Sequence, residues 1–498
     1  MQMIYLFLAF LFASPAVAYD FDIRRFGAVG DGVTLNTAAI QAAIEAAYRY
    51  GGGRVVVPEG VFLTGSIVLK SNVTLHIMRG GVLLGSANPD QYRKLNRWKA
   101  LILADGQTNL SITGFGEVDG QGRKVALHLD SLFYSGKLDS ADYNFVKMRP
   151  SHYIRPQLIE FVQCRNILIK NITLRNAACW VQTYDRCNNL RLDSVRVESD
   201  AYWNNDGLVI QDCRNVRVVN CFINSADDGI CLKSQSQDHL CDSVYMAHCT
   251  VRSSASAVKF GTVSHGGFRN VTIENIRVYD TFRSALALEC VDGGILENIR
   301  VDGITATNTG NALFIRLGAR TTQRGIGKLR NIMIRNMKVE VPFGRPDHAY
   351  EQRGPDLPFF HNTIPASITG IPGHQVENVT LENIEIYYPG RGHPGMAYMP
   401  LWRLHQVPEK EAEYPEFSMF GELPAWGLYV RHVSGLTMNN VKLCIAAPDY
   451  RPAIVFDDVH QLRMTAMTVC GDDKPVRYVL YRSTASFLDN EQGVLRLP

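Results

Sequence analysis

The sequence predicts an all-β protein, a single-stranded right-handed parallel β-helix with an N-terminal capping helix and long C-terminal loops. Three observations predict it: a motif that returns along most of the chain, strict apolar–polar alternation inside each copy, and the lack of helical periodicity between copies. The motif is an Asn followed by two short alternating runs. It reads NILIKNITLRN, NLRLDSVRVES, NVRVVNCFINS, NVTIENIRVYD, NIRVDGITATN, NIMIRNMKVEV and NVTLENIEIYY, starting at Asn166, Asn189, Asn215, Asn270, Asn298, Asn331 and Asn378, with a weaker copy at Ser243. By subtraction the commonest step is about 23 to 28 residues, which is solenoid spacing. Period-two alternation puts one face of each run into a core. Gly and Asn between the runs supply tight corners.

Taken in order, the chain opens with MIYLFLAFLFASPAVAYD, an apolar run of export-signal length whose Ala16-Val17-Ala18 fits the small-residue cleavage rule, although no Lys or Arg precedes it. The expectation is a signal peptide over residues 1–18 and one β-helix domain over 19–498, in a secreted or periplasmic protein. No second run is long enough to span a bilayer. Next, Asn36 to Gly53, NTAAIQAAIEAAYRYGGG, carries apolar residues at helical spacing and a glycine stop. It predicts a helix that caps the open end of the solenoid. The repeats follow, three short strands to a turn, with equivalent strands about 4.8 Å apart. At that distance the recurring Asn amides can bond from turn to turn. Asn72, Asn171, Asn270 and Asn378 also match the glycosylation sequon, and a ladder role accounts for them without glycans.

Two stretches break the rhythm, Phe343 to His374 and Gly390 to Gly427, both long, proline-rich and aromatic. Such loops on a rigid solenoid serve as binding walls or as a cover for the core. Phe359, Phe360, Tyr398 and Trp402 are the aromatic residues they offer for stacking on a ligand. The eleven cysteines include Cys164, Cys187, Cys213 and Cys241 at one repeat position. A shared position predicts a buried column of mostly free thiols rather than a disulfide framework. A net charge of +3 gives no ground for a nucleic-acid or membrane partner, and a monomer is expected.

The chemistry-bearing residues emerge when the strands DGLVIQD, DGICLKS, AVKFGT, ALALEC and ALFIRLG are aligned with Leu208, Ile230, Val258, Leu286 and Leu313 inward. Asp206 and Asp228 then become neighbours on adjacent turns, with Asp227 beside them. Three carboxylates on one face repel one another and raise the pKa of at least one. One proton-bearing acid with ionised partners suits glycoside hydrolysis. No His/Cys cluster has metal-ligand spacing, so neither a metal nor a cofactor is expected.

WNNDGLVI and SADDGICLKS resemble the first two signatures of glycoside hydrolase family 28, the polygalacturonase family, and FGAVGDGVTLNTAAIQAAI and GGGRVVVPEGVFLTGSIVLKSNVTLHI resemble its opening. The resemblance covers most of the chain. It implies a pectin-lyase-like solenoid acting on a pectic poly- or oligosaccharide by inversion. Carried over, it implies Asp227 as general acid and Asp206 with Asp228 as base. The sequence departs from the pattern at two places. Ser256 stands where the family has a histidine, with His265 displaced beyond the strand. Ala287 and Glu289 stand in the two basic positions that grip the substrate carboxylate. Asn204, Lys233, Lys259, His265, Glu289 and Arg316 are the substrate-binding candidates, the basic ones as replacements for the clamp. A decorated pectin such as rhamnogalacturonan stays open as the substrate. So do two other classes: a pectate lyase, for which the acids would hold calcium, and a glycan-binding β-helix without catalysis. The missing clamp and the long loops together lead to the expectation of exo action.

Overall fold

In the computed structural model, which describes residues 19–321, 325–351, 357, 363–396 and 398–498, the alternating runs become parallel strands stacked turn on turn. The expected export signal lies outside the described residues. Equivalent strands pair in parallel with their counterparts one turn away, giving a right-handed parallel β-helix. One face of the solenoid matters most below. Its strands are β1 (Lys99–Asp105), β2 (Gln157–Val162), β3 (Gln182–Asp185), β4 (Leu208–Gln211), β5 (Ile230–Ser234), β6 (Val258–Ser264), β7 (Gly267–Cys290), β8 (Ile295–Leu317), β9 (Ala366–Thr369), β10 (Leu428–Ile445), β11 (Ile454–His460) and β12 (Tyr478–Tyr481). β7, β8 and β10 run on through more than one face. The inward residues of all faces form one continuous apolar column from Phe21 to Leu480.

The corner asparagines explain the repeat. Asn166, Asn189, Asn215, Asn270, Asn298, Asn331 and Asn378 all take φ between 55° and 58°, and Ser243 takes 59°. That left-handed region is costly for most side chains and tolerated by Asn. Their amides also join turn to turn: Asn189 donates to Asn166 (3.0 Å), Asn298 to Asn270 (3.2 Å) and Asn331 to Asn298 (3.2 Å). A second ladder, Asn440 to Asn383 to Asn336, runs along another corner. Cys164, Cys187, Cys213 and Cys241 are buried free thiols, as the repeat position predicts. Cys444 and Cys470, facing each other on neighbouring turns, form a disulfide.

Helix α1 (Thr37–Arg49) lies where the periodicity predicts it, burying Ile40, Ala43, Ile44 and Ala47 over the first turns. A second helix, α2 (Gly122–Tyr134), goes beyond the sequence expectation. Val125, Leu129 and Leu132 carry its periodicity, but it lies in an insertion between turns, where the repeat gives no guidance. It packs on Ala178 and Ile154, and Phe133 stacks on Tyr143 at 3.8 Å. Tyr143–Asn144 and Arg149–Pro150 form a short antiparallel hairpin. Among the described residues no helix is long and apolar enough to cross a membrane.

Asn298→Ala should destabilise the solenoid by about 1–2 kcal/mol in urea unfolding, since it places a Cβ-bearing residue without ladder bonds in the left-handed region. Asn298→Gly, which relieves the backbone cost, should lose less than half of that.

Candidate active site

The register puts Leu208, Ile230, Val258, Leu286 and Leu313 in one inward row, as the strand alignment predicts. Asp206 and Asp228 each precede their strand by two residues and so meet across adjacent turns. The glycine after each acid is required by close approach. A Cβ on Gly207 would lie 2.4 Å from Ile223, and one on Gly229 would lie 2.4 Å from Val251 and 2.6 Å from the Ala257 carbonyl. The Asp-Gly pairs thus let the chain turn tightly onto its neighbour while the acids face outward.

Both acids are buried, and each has a lysine from the next turn. Lys233 Nζ donates to Asp206 Oδ2 at 2.9 Å, and Lys259 Nζ lies 3.2 Å from Asp228 Oδ2. The Ser256 N–H also donates to Asp228 Oδ1 at 3.1 Å. The environments split the pair. Burial pushes the Asp206 carboxyl up to about 7, reinforced by Asp227 and Asp228 and opposed by Lys233. Burial works against the Asp228 carboxylate too, but Lys259, with Arg283, Lys233 and the Ser256 N–H, outweighs it and holds its pKa below the ordinary value. One site therefore holds a proton near neutrality while its neighbour stays ionised.

Asp227 is the partly exposed member. Its Oδ1 accepts the Asp228 N–H at 2.9 Å and its Oδ2 accepts the Asn204 amide at 3.4 Å. Asn204, at φ 61°, is held in turn by Arg155, which donates to its Oδ1 at 2.8 Å and to the carbonyls of Pro150, Ala178 and Trp203. Asn205 is buried and pins the same turn to the carbonyls of Ala177 and Cys179. The three acids thus converge, and Asn204 joins them.

Donor atoms of Asp206, Asp228 and Cys231 lie within 4.8 Å of one another. They do not suit a divalent cation. Burial keeps the Cys231 thiol protonated, well above its ordinary pKa, and Lys233 and Lys259 already stand against the two carboxylates.

The other candidates are placed less as expected. Arg316 is not a carboxylate clamp: it is buried, and its guanidinium donates to the carbonyls of Gly370 (2.8 Å), Glu409 (2.8 Å) and Lys410 (2.9 Å). It anchors the second long loop. Lys259 and Glu289 are sealed as well, at 2% and 1% exposure. Lys259 Nζ also lies 3.9 Å from Glu289 and 3.3 Å from the Tyr414 hydroxyl, so it balances acids and holds the loop. Burial raises Glu289 to about 7 against Lys259, and Thr262 donates to it at 3.1 Å. Lys233 has the ring of Trp180 at 3.6 Å besides Asp206. His265 is half-buried in the corner beyond β6, at the opposite end of the strand from the acids. Ala287, the first clamp position, belongs to an apolar cluster with Phe314, Met399, Leu404, Phe417 and Phe420. The C-terminal loop therefore covers the face beyond Lys259.

Residues missed in the sequence stand on both sides of the acids. On the loop side Tyr414 covers Lys259, and Glu416 pairs with Arg283 at 3.3 Å. On the other side Trp98 stacks on Tyr153 (5.2 Å) and meets Trp180 edge-on (4.8 Å). His152 joins them, and burial followed by nearby cations lowers it to about 4, so its ring is neutral. Tyr398 and Trp402 instead contact each other and Arg403. Phe359 and Phe360 lie outside the described residues. An aromatic residue among charges, as in SHYIRP, was the signal available for the first wall.

Residues 51–284 match the model of Glycosyl hydrolases family 28, and residues 21–77 match one described as Rhamnogalacturonase A/epimerase, pectate lyase-like. The chain is 26% identical to a probable polygalacturonase of Vitis vinifera over 74% of each chain. It is 29% identical to an exo-poly-alpha-D-galacturonosidase of Dickeya chrysanthemi, over 44% of this chain and 42% of that one. Among solved structures the family 28 exopolygalacturonase of Yersinia enterocolitica shares the fold, with a TM-score of 0.60, 20% identity, and coverage of 95% of this chain and 78% of that one.

Lys233→Met should move the protonation of Asp206 upward, because it removes the cation that opposes the effect of burial. On the expectation from the sequence that Asp206 acts as a base, the acid limb of kcat/KM against pH should lie near 7 in the parent. It should shift at least about one unit higher in the variant. A parent limb near 4, or no shift, would contradict this electrostatic picture.

Proposed function

Because the chain belongs to glycoside hydrolase family 28, we propose that it hydrolyses α-glycosidic bonds of a pectic poly- or oligosaccharide, with inversion and from a chain end. The observation that carries the reading is the convergence of three carboxylates, Asp206 and Asp228 on adjacent turns with the partly exposed Asp227 bonded to the Asp228 N–H. In this scheme Asp227 gives its proton to the glycosidic oxygen as the C–O bond breaks. Asp206 and Asp228 hold a water and take its proton while the water oxygen bonds the anomeric carbon. Lys233 and Lys259 hold the base carboxylates in place, Arg155 positions Asn204, and Asn204 positions Asp227. No metal or cofactor enters these steps.

Chain-end action is supported by the walls on both sides of the acids. The loop carrying Tyr414 covers the face on one side, and Trp98, Tyr153 and Trp180 gather on the other. A polymer running through needs an open groove on both sides. A decorated pectin is the second reading, favoured by the burial of Ala287 and Glu289 at the clamp positions. Export to an oxidising compartment fits the Cys444–Cys470 disulfide.

Asp227→Asn should lower kcat by about two to four orders of magnitude with little change in substrate binding. Substantial remaining activity would remove Asp227 from the role of acid. On a pectic polymer, steady release of one small product with little early loss of viscosity is expected. A mixed ladder of oligomers from the first minutes would mean a groove open at both ends.

A further inference from the structure

We propose that Arg149 is the residue that binds the carboxylate of the substrate sugar, taking over from the other side of the acids the task for which Ala287 and Glu289 are unsuited. The inference rests on the pectic reading above, and it turns on which cation near the acids is uncommitted.

Lys233 is bonded to Asp206, Lys259 stands between Asp228 and Glu289, and Arg283 pairs with Glu416. Arg155 and Arg316 are taken up by carbonyls and, for Arg155, by Asn204. Arg149 differs from all of these. It is only 9% exposed, yet among the described residues its guanidinium has neither an ion pair nor a hydrogen bond. The ring of Trp203 lies against it, 4.7 Å away. A guanidinium lying on an aromatic face keeps its edge donors free, in a plane suited to a bidentate carboxylate.

Its place in the fold brings those donors close to the acids. Trp203 precedes Asn204, whose amide bonds Asp227, and Arg149 itself feels the Asp227 charge. The short hairpin bearing Arg149 is fixed from behind by the Phe133–Tyr143 stack and by α2. Burial, then the neighbouring charge of Arg155, lowers the Arg149 guanidinium to about 10. A desolvated cation without a counter-ion is costly, and an incoming carboxylate offsets that cost. None of the Arg149 nitrogens is among the sealed, unpartnered atoms, so the edge remains open to a ligand.

The test compares binding of D-galacturonic acid with binding of its methyl ester, by ligand-observed NMR or calorimetry. Neither monosaccharide is cleaved, so the unaltered full-length protein serves as reference. It should prefer the acid. Arg149→Ala should weaken binding of the acid by about 10- to 100-fold, the range for a hydrogen bond to a charged group. Binding of the ester should stay within about twofold, and Arg149→Lys should fall between, as a point charge replacing a planar fork. Should the alanine variant fold poorly, Arg149→Gln gives the same comparison with less loss of volume. No preference in the parent, or equal losses for acid and ester, would overturn the proposal and leave Arg149 as a support for the turn at Asn204. Retained preference in a protein that hydrolyses no pectic polymer would defeat the functional reading and leave this one standing.

Discussion

In a parallel β-helix each residue meets its own counterpart one turn away, about 4.8 Å along the axis, and the rest of this molecule follows from that repetition. Where the counterpart is the same polar amide, it forms a ladder, as Asn331, Asn298 and Asn270 do. Where it is a thiol, the thiols stack; the Cys187 N–H even donates to the sulfur of Cys213 at 3.3 Å. Where it is a carboxylate, like charges are forced together. Asp206 and Asp228 are the outcome, and lysines on the following turns are the compensation. Without Lys233 and Lys259 the same register would place two uncompensated buried charges side by side, which a fold does not tolerate.

This dependence also decides how much of the molecule is legible in its sequence. Register is set by period-two alternation, so the inward row from Leu208 to Leu313 and the neighbouring acids can be read from the residues alone. The corner positions are legible too, because Asn is the residue best suited to a positive φ that also needs an amide. Insertions obey no such rule. α2, the hairpin with Arg149, and the loop with Tyr414 interrupt the repeat, and their positions over the face depend on long-range packing. Arg316 shows the difference well. The register places it on the cleft face, next to Glu289, but Gly370 and the loop arriving with residues 409 and 410 take up its terminal nitrogens.

Burial of Ala287 and Glu289 gives the altered clamp positions a physical meaning. A cationic clamp works only where a substrate can reach it, and here the loop seals that part of the face by packing Phe417 and Phe420 with Phe314 of β8. An Arg at position 287 would be a charge under an apolar cover. Ala fits the contact. Glu289 survives there because Lys259 and Thr262 receive it, and Gly261 leaves room beside it: a Cβ on Gly261 would come within 3.2 Å of the Glu289 Cβ.

The same closure strengthens the electrostatics on which catalysis depends. In a groove open to water, a lysine about 3 Å from a carboxylate contributes little beyond what solvent supplies. Walls of aromatic rings on one side and an apolar loop on the other exclude that solvent, so each fixed charge acts at lower dielectric. The pKa of Asp206 then rises while that of Asp228 falls, although both are aspartates of the same motif in the same register. Their difference comes from their second partners: Asp206 relies on Lys233, whereas Asp228 draws on Lys259, Arg283 and a backbone N–H. The repeat places the acids together and supplies their unequal partners, and the insertions exclude the solvent that would level the difference.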